Sequence, residues 1–188
     1  MVKVAVLFTH GFAEIEGFSI VDILRRAEID APIVGTEPGE IIGARMISTT
    51  PDFIIEDLSV DQLDAIVLPG GSPGYINLRT NEHVINLIKE MMKQKKIIAA
   101  ICASPAVLSD AGVLKDKHCT IYPGMEDELK KGGGIPTDKI VVIDDNIITS
   151  KGPATTIPFT LTLVELLTDK KTAATVKKKL LADLVFKE

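Results

Sequence analysis

The sequence predicts a three-layer α/β sandwich, in which a mostly parallel β-sheet is covered by helices on both faces. Three observations carry that expectation. Short all-apolar runs of strand length alternate along the chain with longer stretches whose apolar residues recur at helical spacing. The short runs lack polar alternation, as strands buried on both faces do. Several stop abruptly at glycine or proline, where a chain leaving a sheet must turn.

The elements follow in order. Lys3 to Phe8 is β-rich and, from Val4, wholly apolar, the pattern of a central strand. From Ile15 onward, Phe18, Val21, Ile23, Leu24 and Ala27 recur at helical spacing, and Arg25-Arg26 mark the far end of that helix. Ala31 to Gly35 reads as the next strand. Ile41 to Ile55, broken by Gly43 and Pro51, reads as a small hairpin followed by an extended piece. Ala65 to Leu68 is another buried strand, stopped by Pro69-Gly70-Gly71. A helix carried by Val84, Leu87, Ile88, Met91 and Met92 leads to the all-apolar strand Ile97 to Ile101. Cys102 comes directly after it, and a new helical pattern begins over Pro105 to Leu108. His118 to Tyr122, Ile140 to Ile143 and Ile147 to Ser150 supply later strands. Helices from about Thr155 to Leu167 and from about Lys171 to Leu181 close the series. Strand, helix, strand repeated in this way builds a parallel sheet of the flavodoxin-like kind. With no linker or low-complexity segment between elements, residues 1–188 are expected to form a single domain.

Composition narrows the partners. Apolar residues make up 46% of the chain and charged residues 25%, the balance of a folded, soluble protein. The formal charge of −5 gives no electrostatic reason to bind nucleic acid or an anionic membrane. Lys93 to Lys96 and Lys177 to Lys179 fall on amphipathic helical patterns and read as solvated faces. No apolar run approaches a membrane span, and Val4 to Phe8 ends in His10-Gly11 after Thr9 without a cleavage signature, so the expected location is cytoplasmic. Cys102 and Cys119 suggest neither a disulfide framework nor a metal site. Of the three histidines, His10, His83 and His118, no two share a helical spacing with a carboxylate, so no metal is expected. No cofactor is expected either.

In an open parallel sheet, chemistry gathers beyond the carboxyl ends of the strands. Three features land there: Gly11 to Glu16, Gly70 to Gly74, and Cys102. Cys102 lies between an apolar strand and a helix start marked by Ser104-Pro105, the setting of a nucleophile elbow. A helix N-terminus is expected to lower its pKa. Backbone N–H groups of that turn, and those of Gly70 and Gly71, could hold an oxyanion. A small buried cysteine filling core space is the competing reading, and position alone leaves both open. Cys119 has none of these features and reads as packing. Glu14 and Glu16 stand where the first helix begins. Acidic residues there complement the helix dipole. Alternatively, one carboxyl reaches across to Cys102, stays protonated through burial, and moves a proton. Spacing does not choose between the two.

These residues resemble the ThiJ/PfpI superfamily, and within it the DJ-1/ThiJ clade. The matching pieces are Gly11-Phe-Ala-Glu14-Ile-Glu16, Val21-Asp22-Ile-Leu-Arg25-Arg26-Ala27 and Val67-Leu68-Pro69-Gly70-Gly71. They continue with Ile98-Ala99-Ala100-Ile101-Cys102-Ala103 and Ile148-Thr149-Ser150-Lys151-Gly152-Pro153. Together they span nearly the whole chain in the family's order. The resemblance implies a readily oxidised nucleophile at Cys102, a protonated acid at Glu16 bonded to its sulfur, and backbone donors at Gly70 and Gly71; the N–H of Ala103, at the helix start, is the further expected oxyanion donor. It also implies a homodimer with the site near the interface, and cofactor-independent conversion of methylglyoxal to lactate or repair of glyoxal-modified amino groups. Redox sensing through oxidation of Cys102, with little turnover, is the other function it implies.

Two departures stand out. Many relatives carry a histidine where this chain has Tyr122, and His118 lies too far along the same expected strand to replace it. A phenol is an accessory hydrogen-bonding group and a poor base near neutrality. Proton transfer is therefore expected to rest on Glu16, with Glu14 as a further accessory. PfpI-type peptidases carry a histidine directly after the cysteine; here Ala103 stands there, which argues against peptidase activity.

Overall fold

The computed structural model describes residues 1–186. In chain order its elements are β1 (Val4–Phe8), α1 (Glu14–Arg26), β2 (Ile33–Gly35), β3 (Ile41–Ile42), β4 (Ser48–Thr49), β5 (Phe53–Ile54), β6 (Ala65–Leu68), α2 (Gly74–Thr80) and α3 (Glu82–Lys93). Then follow β7 (Ile97–Ile101), α4 (Pro105–Asp110), β8 (His118–Cys119), α5 (Glu126–Lys131), β9 (Ile135–Pro136), β10 (Val141–Asp144), β11 (Ile147–Ser150), α6 (Thr156–Leu167) and α7 (Lys170–Lys179). Seven strands form the main sheet in the order β10-β11-β7-β6-β1-β2-β5. Every pairing in it is parallel except β10 with β11, an antiparallel edge.

Strand alternation explains the layers. In β1, the side chains of Val4, Val6 and Phe8 join Val67, Ala99 and Ile101 against α1, α6 and α7. Ala5 and Leu7 join Ile66, Leu68, Ile98 and Ala100 on the opposite face, against α3 and α4. A strand buried on both faces has no position for a polar residue, so these runs are continuously apolar. The flavodoxin-like sandwich predicted from sequence is thus the observed fold.

Three local readings change. His118 to Tyr122 is not a strand of the main sheet. Only His118–Cys119 forms a strand, and it pairs with β9 in a separate two-stranded sheet. The Thr120 N–H donates at 2.9 Å to the side-chain hydroxyl of Thr149 on β11, not to a strand backbone, and Pro123 has no N–H to offer. The second change is α2 and α5, which the periodicity did not signal. Each is short and buries few apolar side chains, chiefly Leu78 and Leu129. The third is β10, which begins at Val141 and runs to Asp144. The expected hairpin is β3 with β4, and the extended piece after it is β5 at the sheet edge. Among the described residues, no helix is long and apolar enough to cross a membrane.

At the carboxyl end of β1, Phe8 meets Phe12 and Phe18, with ring centroids 4.3 and 5.6 Å away. This cluster fixes the first turn of α1 over the sheet; a Cβ on Gly17 would lie 2.7 Å from the Phe8 ring. Phe8→Ala is expected to lower the unfolding free energy by about 3–5 kcal/mol, read from urea denaturation. A loss within the range of an exposed substitution would contradict the packing described.

Candidate active site

The chain runs outward from β1 through β2 to β5, then returns to place β6 on the other side of β1. The crevice at such a reversal lies outside the carboxyl ends of the strands and is open to side chains from several loops. Here it receives the start of α1 after β1, the Pro69-Gly70-Gly71 turn after β6, and Cys102 after β7.

Cys102 takes a left-handed backbone conformation, with φ of +63°. A residue with a Cβ adopts it at a cost of about 1–2 kcal/mol, so the surroundings must hold it there. They do so through a set of hydrogen bonds. The Cys102 N–H donates to the Ser150 carbonyl at 3.0 Å, and its own carbonyl accepts from the Tyr122 N–H at 2.9 Å. Next along the chain, the buried Ser104 hydroxyl donates to the Pro69 carbonyl at 2.6 Å, tying the Cys102 elbow to the turn after β6.

Glu16 lies in the first turn of α1 and is fully buried. Its Oε2 accepts from the Gly70 N–H at 2.7 Å. Its Oε1 is buried with no conventional hydrogen-bond partner, while its carboxyl faces the Cys102 thiol. Gly70 is the spacer between them. A Cβ there would lie 2.6 Å from the Cys102 Cβ, 2.9 Å from Glu16 Oε2 and 3.1 Å from the sulfur. The expected oxyanion role of Gly70 is corrected by this arrangement, because its N–H is already committed to Glu16. The N–H groups of Gly71 and Ala103 are the two that favour negative charge on the sulfur.

The electrostatics also correct a sequence expectation. The α4 helix behind Cys102 has only six residues, and its terminus does not dominate. With Glu16 ionised, burial pushes the Cys102 thiol up to about 12, aided by the charge and hydrogen bonding of Glu16 and opposed by Ala103 and Gly71, so that value belongs to the second proton of the pair. Burial likewise raises Glu16, against the Gly70 N–H and the thiol. The two groups therefore titrate as a pair. One proton is retained until the pH nears about 12, because burial and the charge already on the pair both oppose a second negative charge.

The sulfur is half-buried and opens onto a cavity of about 890 Å³ whose lining includes Glu16, Gly71, Ala103 and Tyr122. Tyr122 follows β8 in a turn, and its ring packs against Gly152, as the sulfur does; a Cβ on Gly152 would lie 3.4 Å from Tyr122 Cδ2 and 4.0 Å from the sulfur. Glu14 is buried at the cavity wall, where its Oε1 accepts from the backbone of Arg45 and of Ile47 and fixes that loop. The carboxyl that reaches Cys102 is thus that of Glu16 and not Glu14. His10 lies outside the lining and accepts from the Ile42 N–H at 3.1 Å. His83 and His118 also lie outside the lining. Cys119 is fully buried against backbone carbonyls, as packing requires. Among the described residues, no cluster of His, Cys, Asp or Glu is arranged to hold a metal ion. Sequence reasoning missed Tyr75 and Met125 in the wall. Tyr75 belongs to α2, which carried no periodic signal.

The DJ-1/PfpI family profile matches residues 2–166. The chain belongs to the DJ-1/PfpI family. Among its relatives, the dj-1beta protein of Drosophila melanogaster is 36% identical over 177 residues, covering 94% of this chain and 95% of that protein. A deglycase from Pyrococcus horikoshii is 32% identical over 152 residues, covering 81% of this chain and 91% of that protein. Among solved structures, an oxidised DJ-1 from Toxoplasma gondii superposes with a TM-score of 0.91 at 34% identity, covering 96% of this chain and 98% of that one. These DJ-1 relatives place the chain in the DJ-1/ThiJ clade.

Two predictions follow from the pair. Gly70→Ala overpacks the site and is expected to cost about 1–3 kcal/mol of stability while slowing alkylation of Cys102; unchanged stability and alkylation would refute the spacer role. The second concerns pH. Because burial raises Glu16 above its unfolded value, the folded chain keeps that proton longer than the unfolded chain does. The associated stability is complete below about 4.5 and is lost as the pH rises toward the folded value. Glu16→Gln stays neutral throughout, so its melting temperature is expected to gain on the wild type as pH rises above about 4.5. A difference that is constant with pH would show that Glu16 is not raised.

Proposed function

We propose that the protein is a cofactor-independent enzyme acting on small reactive dicarbonyls, a glyoxalase or deglycase, with Cys102 as nucleophile and Glu16 as proton carrier. The observation that carries this reading is the buried pair itself. Two N–H groups face the sulfur, while Glu16 Oε1 has no partner to accept from and is suited to bear a proton. The pair's negative charge then rests on sulfur and its proton on Glu16.

The steps balance without a cofactor. The Cys102 sulfur adds to the aldehyde carbon of methylglyoxal, forming a C–S bond, and the new oxyanion is held by the Gly71 or Ala103 N–H. Protonation of that oxygen by Glu16 gives a hemithioacetal. Glu16, now ionised, takes the proton from the former aldehyde carbon and returns it to the neighbouring carbonyl carbon, while the hemithioacetal O–H proton passes to the former ketone oxygen in the intervening enediol. The aldehyde carbon is thereby oxidised to a thioester as the ketone carbon is reduced to an alcohol. Water breaks the C–S bond, releasing lactate and restoring the sulfur. No histidine lines the cavity, so Glu16 supplies the base in this scheme.

A second reading has its own support. A half-buried sulfur between a protonated acid and two N–H donors also suits a sulfinate, whose oxygens would accept from them. On that reading the protein is a redox sensor with little turnover. The apolar rim residues Ile15, Met46 and Ile47, all exposed, support a homodimer covering the cavity mouth.

The test is lactate formation from methylglyoxal by purified protein without added cofactor. Wild type is expected to be active, Cys102→Ala inactive, and Glu16→Gln reduced by about 100-fold or more. Equal turnover by Cys102→Ala would exclude the mechanism. Negligible turnover by wild type, with mild peroxide adding two oxygens to Cys102 and leaving Cys119 untouched, would favour the sensor.

A further inference from the structure

The cavity lining is mainly apolar, with Tyr75, Tyr122 and Met125 beside the ionisable Glu14, Glu16 and Arg45. Tyr122 lies beside Cys102, held by the bond from its N–H to the Cys102 carbonyl at 2.9 Å. Met125 lies one turn on, its N–H donating to the Tyr122 carbonyl at 3.1 Å. On the other side, Tyr75 is anchored by its N–H to the Gly71 carbonyl at 2.9 Å, one turn from the N–H that faces the sulfur. Pro153 and Phe18 complete this part of the lining. Tyr122 is 48% exposed, while Tyr75 is partly buried, packing against the core on one side and lining the cavity on the other.

We propose that this cavity selects 2-oxoaldehydes whose ketone carbon bears an aromatic substituent, with Tyr75 and Tyr122 as specificity-determining residues. The inference rests on the dicarbonyl reading for the reaction, and on the cavity walls for the preference. An aldehyde carbon bonded to sulfur leaves the substituent two bonds further out, where methyl spans little of the cavity. A phenyl ring placed there meets two aromatic rings and a thioether, which offer offset or edge contacts and a polarisable sulfur. The chemistry is unchanged and balanced: phenylglyoxal plus water gives mandelate, the aldehyde carbon being oxidised and the ketone carbon reduced. Rings, not hydroxyls, supply the preference, so phenylalanine should substitute for either tyrosine.

The experiment compares kcat/KM for phenylglyoxal, followed as mandelate, with kcat/KM for methylglyoxal, followed as lactate. Wild type is expected to favour phenylglyoxal by about tenfold or more. Tyr75→Ala and Tyr122→Ala should each move the ratio toward one, and Tyr122→Phe should preserve it. A wild-type ratio of one or less, or a ratio untouched by both alanine variants, overturns the inference. Alkylation of Cys102 by phenacyl bromide and by bromoacetone, each rate divided by that of glutathione, reads the walls without turnover. Should neither oxoaldehyde be converted, the functional reading fails, and the alkylation ratio alone decides. An aromatic preference lost in the alanine variants upholds the selective cavity, and equal normalised rates reject it.

Discussion

A buried carboxyl group and a half-buried thiol face each other here too closely for both to carry negative charge. Glu16 is fully buried, and the second proton of the Glu16–Cys102 pair is held up to about 12 by burial and by the negative charge left when the first is lost. Retention of one proton by the pair is the constraint on which the remaining features depend. It requires Gly70 to lack a side chain, because any Cβ would sit between the two groups. It requires the start of α1 to be fixed over the sheet, which the Phe8, Phe12 and Phe18 rings accomplish. It also requires Cys102 to keep its left-handed backbone, which bonds to Ser150 and Tyr122 enforce.

The fold supplies this arrangement through topology. β1, β6 and β7 are adjacent in the sheet, so the three loops that follow them converge although they are far apart in sequence. Each contributes a different chemical part: an acid after β1, a close-packed turn after β6, and a thiol after β7. The strands beneath are buried on both faces, which gives the site a rigid floor. The half-buried sulfur remains reachable from the cavity.

Much of this was legible in the sequence, for physical reasons that differ by element. The central strands were visible because burial on two faces leaves uninterrupted apolar runs. Cys102 was visible because it falls between such a run and Ser104-Pro105. The resemblance, and not spacing, distinguished Glu16 from Glu14; geometry then gave Glu16 to the thiol and Glu14 to the backbone of the Arg45–Ile47 loop. The commitment of the Gly70 N–H to Glu16 depends on a contact between residues 54 positions apart, which no local pattern encodes. The thiol's upward shift was hidden similarly, since burial is a property of the assembled site. α2 and α5 escaped because neither has an extended apolar face, and with α2 went Tyr75.

The proposed chemistry places the pair's charge on sulfur while Glu16 holds the proton. Thiolate absorbance in the ultraviolet, taken as the difference between wild type and Cys102→Ser across a pH titration, reports this directly. The account predicts a thiolate signal already present at neutral pH. A signal that appears only as the pH nears about 12 would place the charge on Glu16 and contradict it.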